Sequence, residues 1–419
     1  MLASLAAAWK IKELRQKILF TMLMFLVFRI GAHIPVPGVD LAMLEGLLGS
    51  SIFSFLDVVA GGSLKNFTIL AMGVIPYINA SIIVQLLTMV VPYFEKLQKE
   101  GPEGRKKMTQ IIRFGAIGLG FIQAVGLSFY IRSAMINPST LTLIAIPITL
   151  TAGTAFLMWL GEMITEKGIG NGISLIIFAG IVAKIPSGLV GAWQMLVAGE
   201  LSILTVILFA AVVLLVIAGV VCVQEGQRRV PVQYAKRVVG RKVYGGQSTH
   251  VPIKVNQAGV IPIIFASSFL VLPSFIASLF SNAPGTVSNW ITTVLGYQHP
   301  VYIILYSLFI FLFTYFYTAA TFNTNDVADN LKKYGGFVPG LRPGRPTAEY
   351  LDKVLSRLTF SGATFLVLIA LMPTLVMAIT GQNIAFGGTS LLIAVGVALE
   401  TMKQIESHLL MRHYQGFMK

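Results

Sequence analysis

Few residues in this chain could do bond-making chemistry. A single cysteine, Cys222, excludes a disulfide framework and a cysteine-based zinc or iron–sulfur site. The five histidines are scattered: His33, His250 and His299 read as loop or span-end residues, and His408 and His413 fall near the C-terminus. No metal site and no cofactor is expected. There is no Walker A pattern, no His-Glu-x-x-His and no Gly-x-Ser-x-Gly, so ATP hydrolysis and membrane proteolysis have no motif to rest on. The spacing that stands out belongs to isoleucines. Ile78 and Ile82 lie one helical turn apart, as do Ile177 and Ile181, so each pair shares a helix face. With Ile264 and Ile393 they would form an aliphatic ring able to stop water and ions by dewetting yet yield to something larger. The plainer alternative is that all six are ordinary core or lipid-facing residues.

The elements that must position such a ring are membrane helices. Apolar residues make up 55% of the 419 positions and charged residues 11%, with mean hydropathy +0.79, net charge +14 and pI near 9.8. So few charges cannot cover a water-soluble surface. A span needs about 20 mostly apolar residues. Ten stretches qualify, near 18–33, 67–91, 111–131, 141–160, 172–190, 201–223, 258–280, 301–322, 358–380 and 384–399. The last two are separated only by Gly381, Gln382 and Asn383. Residues 1–17 read as an amphipathic surface helix, with no cleavable signal peptide in them.

Basic residues orient the chain. With the N-terminus in the cytoplasm, ten alternating spans place 27 of the 31 Lys and Arg on that side. The outer side keeps Lys65, Arg132 and Lys184, and Arg29 sits within span one, about 9 Å from Pro35 at a helical rise and able to snorkel outward. Both termini are then cytoplasmic. Glu162 and Glu166 fall at the inner end of span four, and no buried acid is evident for ion-coupled transport.

An internal repeat links the halves. GVIPYINASII from Gly73 matches GVIPIIFASSF from Gly259, and SLIIFAGI from Ser174 matches SLLIAVGV from Ser390. Span two thus pairs with seven, and five with ten. Halves of five spans must insert with opposite orientation, an inverted repeat whose working site lies at the interface of the halves. Pro76 and Pro262 are matched by the repeat and should bend their helices. The expected division is 1–17 for the surface helix, 18–199 and 200–404 for the halves, and 405–419 for a cytoplasmic tail.

Three loops stand out. SIFSFLDVVAG is apolar but too short to span, so it is either a helix lying flat in the outer leaflet or a segment folded into the mouth between the halves. The loop 225–256 alternates β-branched or aromatic with basic residues and reads as a twisted hairpin with Arg241 near its tip. The loop 324–357 holds YGGFVPGLRPGRPT, a rigid excursion carrying Arg342 and Arg345. Anionic lipid accounts for basic loops in general; long protruding ones more often bind a partner, and an acidic or RNA-bearing one suits their charge.

Seven segments resemble, in order and over essentially the whole chain, the SecY family, the channel subunit of the general protein-translocation complex. They are IPVPG from Ile34, GVIPYINASIIVQLLT from Gly73, TEKGIGNGISLIIFAGIVA from Thr165, EGQRR from Glu225, QSTHVPIKVNQAGVIPIIFASS from Gln247, ADNLKKYGGFVPGLRPG from Ala328 and GGTSLLI from Gly387. The resemblance implies an all-α membrane protein, ten helices in two inverted halves closing like a clamshell on an hourglass pore. It implies Ile78, Ile82, Ile177, Ile181, Ile264 and Ile393 as the pore ring. It implies a plug near 52–62 containing Ile52, Phe53, Phe55, Leu56, Val58, Gly61 and Gly62. A lateral gate would lie between spans two and three and spans seven and eight. The loop residues Arg241, Lys242, Arg342 and Arg345 would engage the motor ATPase SecA or a ribosome, and SecE and SecG would be membrane partners. The expected cargo is an unfolded polypeptide bearing a signal sequence, and no enzymatic step is implied. A secondary transporter for small solutes would instead need a polar midplane pocket, and a structural scaffold would need no pore at all.

Overall fold

A computed structural model describes residues 8–41, 43–44, 57, 60–199, 202–234, 237–239, 242–244, 248–279, 294, 299–380 and 388–417. The structure is mostly helical. In chain order its main helices are α1 (Lys12–Gly31), α2 (Ile75–Val90), α3 (Pro92–Lys99), α4 (Pro102–Tyr130), α5 (Thr140–Lys167), α6 (Gly172–Val197), α7 (Ile203–Glu225), α8 (Ile261–Leu279), α9 (Pro300–Thr321), α10 (Thr324–Lys333), α11 (Arg345–Thr380) and α12 (Gly388–Phe417). Among the described residues six helices are long and apolar enough to cross a membrane, and seven if the bent pair α2–α3 counts as one span.

Several boundaries differ from the sequence reading, each for a local reason. Span two was expected to be helical from residue 67, but α2 begins at Ile75 and residues 67–74 form turns and a bridge. Phe67 at φ 41° and Gly73 at φ 58° break any helix there. Pro76 was expected to bend a helix; it sits instead in the first turn, where its missing N–H costs nothing. Pro262 likewise is the second residue of α8. The break that does occur is at Val91, held extended (φ −106°, ψ 116°) by the proline that follows, and it turns α3 by 100° from α2. At the N-terminus α1 runs unbroken from Lys12 through Lys17, so those turns of the expected surface helix continue into span one. At the C-terminus α12 continues as helix to Phe417.

The chain divides into two compact units. The first comprises Met1–Phe209, Ser268–Tyr302 and Ile393–Lys419. Here α4 packs against α2 and α5, and α5 against α6 and α1. Small residues make this close approach possible, as is usual where lipid provides no hydrophobic drive between helices. Ala80, Ala116 and Met158 meet in one core. Gly153 faces the carbonyl of Ile69 so tightly that a Cβ would overlap the oxygen, and Gly172 meets the carbonyl of Gly161 in the same way. A separate cluster of Ala8, Leu14, Ile169 and Ile405 joins both chain ends to the turn after α5.

The second unit comprises Ala210–Ser267 and Ile303–Leu392. The expected hairpin is present: β1 (Gln227–Tyr234) pairs antiparallel with β4 (Ser248–Lys254), while β2 (Arg237–Val239) pairs with β3 (Lys242–Tyr244). The sequence reading missed that β5 (Gly336–Phe337), from the other long loop, adds to β1 and gives the sheet order β4-β1-β5. Val230, Val232, Ile253, Leu331, Val338, Leu351 and Leu355 form the core beneath it. The helix α7 shows little burial of its own, with only Val216 and Val220 covered, and Leu204 is 73% exposed. Such surface is stable only against acyl chains or a partner helix.

Candidate functional site

The isoleucines come first. The first turns of α2 and α6 set their phase. Ile78 and Ile82 lie on the buried face of α2, whereas the neighbouring Ile83 is 45% exposed. Ile177 and Ile181 lie on the buried face of α6, whereas Val182 is exposed. Ile393, six residues into α12, is 1% exposed. These five belong to the first unit and none is turned outward. Ile264 belongs to the second unit and is half-buried, between the buried Ile263 and Phe265.

The repeat is visible in local geometry as well as in letters. Gly73 and Gly259 both take a left-handed backbone, φ 58° and 64°, and each is followed two residues later by a helix with proline second. The amide of Ile78 donates to the carbonyl of Val74 at 3.0 Å, and the amide of Ile264 to that of Val260 at 3.4 Å. Four residues before each glycine, the carbonyls of Ile69 and Val255 meet a glycine of a later helix, Gly153 and Gly362; at Gly362 a Cβ would lie 2.7 Å from that oxygen. The first residues of α6 and α12, Gly172 and Gly388, each press on a carbonyl of the preceding helix, Gly161 and Ile369.

Of the expected plug residues, Ile52, Phe53, Phe55, Leu56 and Val58 lie outside the described residues. Gly61 and Gly62 are described, and Gly61 is tightly held. Both have left-handed backbones, φ 71° and 89°. A Cβ on Gly61 would lie 2.8 Å from the Cα of Gly180 and 3.1 Å from the Phe28 ring. Ala60 in turn closes on Gly73 at 3.3 Å, just before α2. Residues 60–62 are therefore wedged between the head of α2 and the backbone of α6 next to Ile181.

Charge reinforces this seat. Arg29, read as able to snorkel outward, donates through its Nη1 to the carbonyl of Gly61 at 3.2 Å. Lys184, counted on the outer side, lies within α6, which extends beyond the expected span to Val197. Its Nζ lies 2.5 Å from Oδ2 of Asp57, whose Oδ1 accepts from the amide of Lys65 at 2.8 Å. Asp57 was overlooked because it stands in an apolar stretch with no sequence-local partner. Glu162, near the C-terminal end of α5, pairs with Arg113 of α4 at 2.5 Å.

On the long loops, Arg241 lies outside the described residues. Val239 pairs with Lys242, which opens β3. Arg342 is exposed, its own carbonyl pinned at 2.8 Å by the hydroxyl of Thr347. Glycines 335, 340 and 344, at φ 71°, 84° and 100°, set the turns around it. Arg345 differs: it is the first residue of α11 and pairs with Glu349 at 3.0 Å. The amphipathic helix α10 enters this loop, capped by Asn323, whose Oδ1 accepts from the amides of Asn325 and Asp326.

Comparison with known proteins identifies the chain's relatives. The family model described as SecY matches residues 68–402. Over its full length the chain is 49% identical to the protein translocase subunit SecY of Halalkalibacterium halodurans, covering all of both chains. It is 48% identical to the SecY of Thermotoga maritima, over 98% of this chain and 96% of that one. Among solved structures, a protein-conducting channel superposes with TM-score 0.68 at 19% identity, covering 94% of this chain and 92% of that one. Sec61 in the canine ribosome–channel complex superposes with TM-score 0.66 and the same coverage. A full-length relationship at such identity, with the channel fold and several apolar helices long enough to cross a membrane, leaves one assignment: the chain belongs to the SecY family.

Proposed function

We propose that this chain is the protein-conducting subunit of a translocon in the bacterial cytoplasmic membrane, with ten spans in two inverted halves and both termini in the cytoplasm. Unfolded secretory polypeptides thread a pore between the halves, and transmembrane segments leave sideways into lipid. The observation that carries the reading is the burial of Ile78, Ile82, Ile177, Ile181 and Ile393 in a chain whose remaining helical faces are largely apolar and exposed. The matched local geometry around Gly73 and Gly259 supports the two-half arrangement.

An isoleucine gasket suits a cargo of arbitrary sequence. Its side chains make no directional bonds, so any residue slides past, and when the pore is idle they exclude ions. Nothing in such a conduit does work on the cargo, so the drive must come from a partner. Arg241, Lys242, Arg342 and Arg345 are the contacts proposed for SecA or a ribosome. SecE and SecG are the membrane partners proposed for the exposed apolar helices, and anionic lipid for the basic flanks. The test is crosslinking: a stalled secretory chain should react with a photoreactive residue placed at position 78 or 264. Crosslinks confined to exposed positions such as Leu204 would overturn the pore assignment.

A further inference from the structure

The turn 168–171 between α5 and α6, Gly-Ile-Gly-Asn, is held from three sides. Its two glycines give it little stiffness of its own, so the restraint comes from the helices around it. From α1, the Thr21 hydroxyl accepts from the amide of Ile169 at 3.2 Å, and a Cβ on Gly168 would lie 2.5 Å from that oxygen. From α5, the Thr165 hydroxyl accepts from the amide of Gly172 at 2.9 Å. From α12, the Thr401 hydroxyl lies 3.2 Å from where a Gly170 Cβ would stand, and Ile405 joins Ile169 and Leu14 in one apolar cluster. Ile169 and Ile405 are 5% and 4% exposed, so the meeting point is dry. Two of the elements that meet here, α6 and α12, carry buried isoleucines. At a helical rise, Ile177 lies about 8 Å along α6 from Gly172, and Ile393 about 12 Å along α12 from Thr401.

We propose that this turn is the joint that sets α6 and α12 in register, with Thr21 and Ile405 as the residues that position Ile177, Ile181 and Ile393 in the ring. The inference rests on the channel reading and adds to it a fixed point outside the ring. A packed interface moves between discrete arrangements rather than bending continuously, so a small shift at one end of a helix is carried along it. A shift of the joint therefore reaches the ring within about one to three helical turns. The Thr21 bond acts only while the joint is packed. Once the joint parts, water satisfies the Ile169 amide as well as Thr21 does. Losing the hydroxyl thus penalises the packed joint and leaves the parted one unchanged. Ile405 acts the same way through burial, which it keeps only in the packed arrangement.

The experiment uses the full chain with its membrane partners in planar bilayers, measuring how often the idle channel opens. Thr21→Val keeps the shape of the side chain but leaves the Ile169 amide unpaired, and it should raise open events about tenfold. Thr21→Ser keeps the oxygen and should close like wild type; opening equal to Thr21→Val would show that the bond is not the cause. Ile405→Ala should open at least as often as Thr21→Val. Should it fail to insert, Ile405→Val removes a single methylene and should open about threefold more than wild type. Thr359→Val removes a hydroxyl bond of 2.8 Å buried within α11 and should leave closure unchanged; equal opening there would reduce the Thr21 effect to general loosening and overturn the positioning role. A second readout follows the ring itself. Crosslinking of a stalled secretory chain from position 177 should fall in Thr21→Val, while crosslinking from 264, on α8, is unchanged. Wild-type closure in Thr21→Val or Ile405→Ala overturns the role given to that residue, provided Ile393→Asn opens in the same bilayers. If Ile393→Asn is also silent, the channel reading itself fails.

Discussion

Gly61 offers a sharp test of whether the 60–62 turn seals by close packing. An alanine there meets two penalties. Its φ of 71° lies in the left-handed region, which costs a residue with a Cβ about 1–2 kcal/mol. Its Cβ would also stand 2.8 Å from the Gly180 backbone and 3.1 Å from the Phe28 ring. Neither neighbour is a flexible chain end, and overpacking of this kind adds about 1–3 kcal/mol. Gly62→Ala separates the two effects. At φ 89° it has comparable backbone strain, but its Cβ meets only the Cε of Lys184 at 3.5 Å, an ordinary contact. The difference between the variants is thus the packing term alone, and at about 1.4 kcal/mol per tenfold it predicts about five- to 150-fold more opening in Gly61→Ala than in Gly62→Ala. The assay is idle-channel opening in bilayers, paired with export of a reporter whose signal sequence is defective. Equal behaviour of the two variants would refute the packed seat at Gly180.

Other positions give independent tests. Ile393→Asn places an amide where the side chain is 1% exposed, which costs about 1–3 kcal/mol if it finds no partner, so it should loosen the seal and admit cargo with defective signal sequences; wild-type recordings and export would remove Ile393 from the ring. Arg342→Glu reverses an exposed charge whose backbone Thr347 still holds, so motor-driven export should fall by an order of magnitude or more while insertion is unchanged, as read by export assay and membrane fractionation. Gly153→Ala and Gly362→Ala each drive a Cβ toward a carbonyl, of Ile69 and Val255, and each should lower stability by about 1–3 kcal/mol in thermal unfolding. Gly118→Ala, which meets open space, should change stability little by comparison.

Local chemistry made much of this protein legible in its letters. A scarcity of charge marks a membrane protein, because that property belongs to each residue alone. The Gly-Val-Ile-Pro repeat was legible for the same reason. A glycine followed three residues later by a proline recurs, and both copies take one local shape. Tertiary structure decided what local rules leave open. It made the proline a helix start rather than a bend, because the turns before Ile75 settle against α5 through Ile69 and Gly153. It joined β5 to β1 across about a hundred residues, a pairing that no periodicity encodes. It brought Asp57 to Lys184 and Arg29 to Gly61. Each of those groups reads alone as a surface charge or a loop residue, and only folding determines which desolvated charge finds which partner.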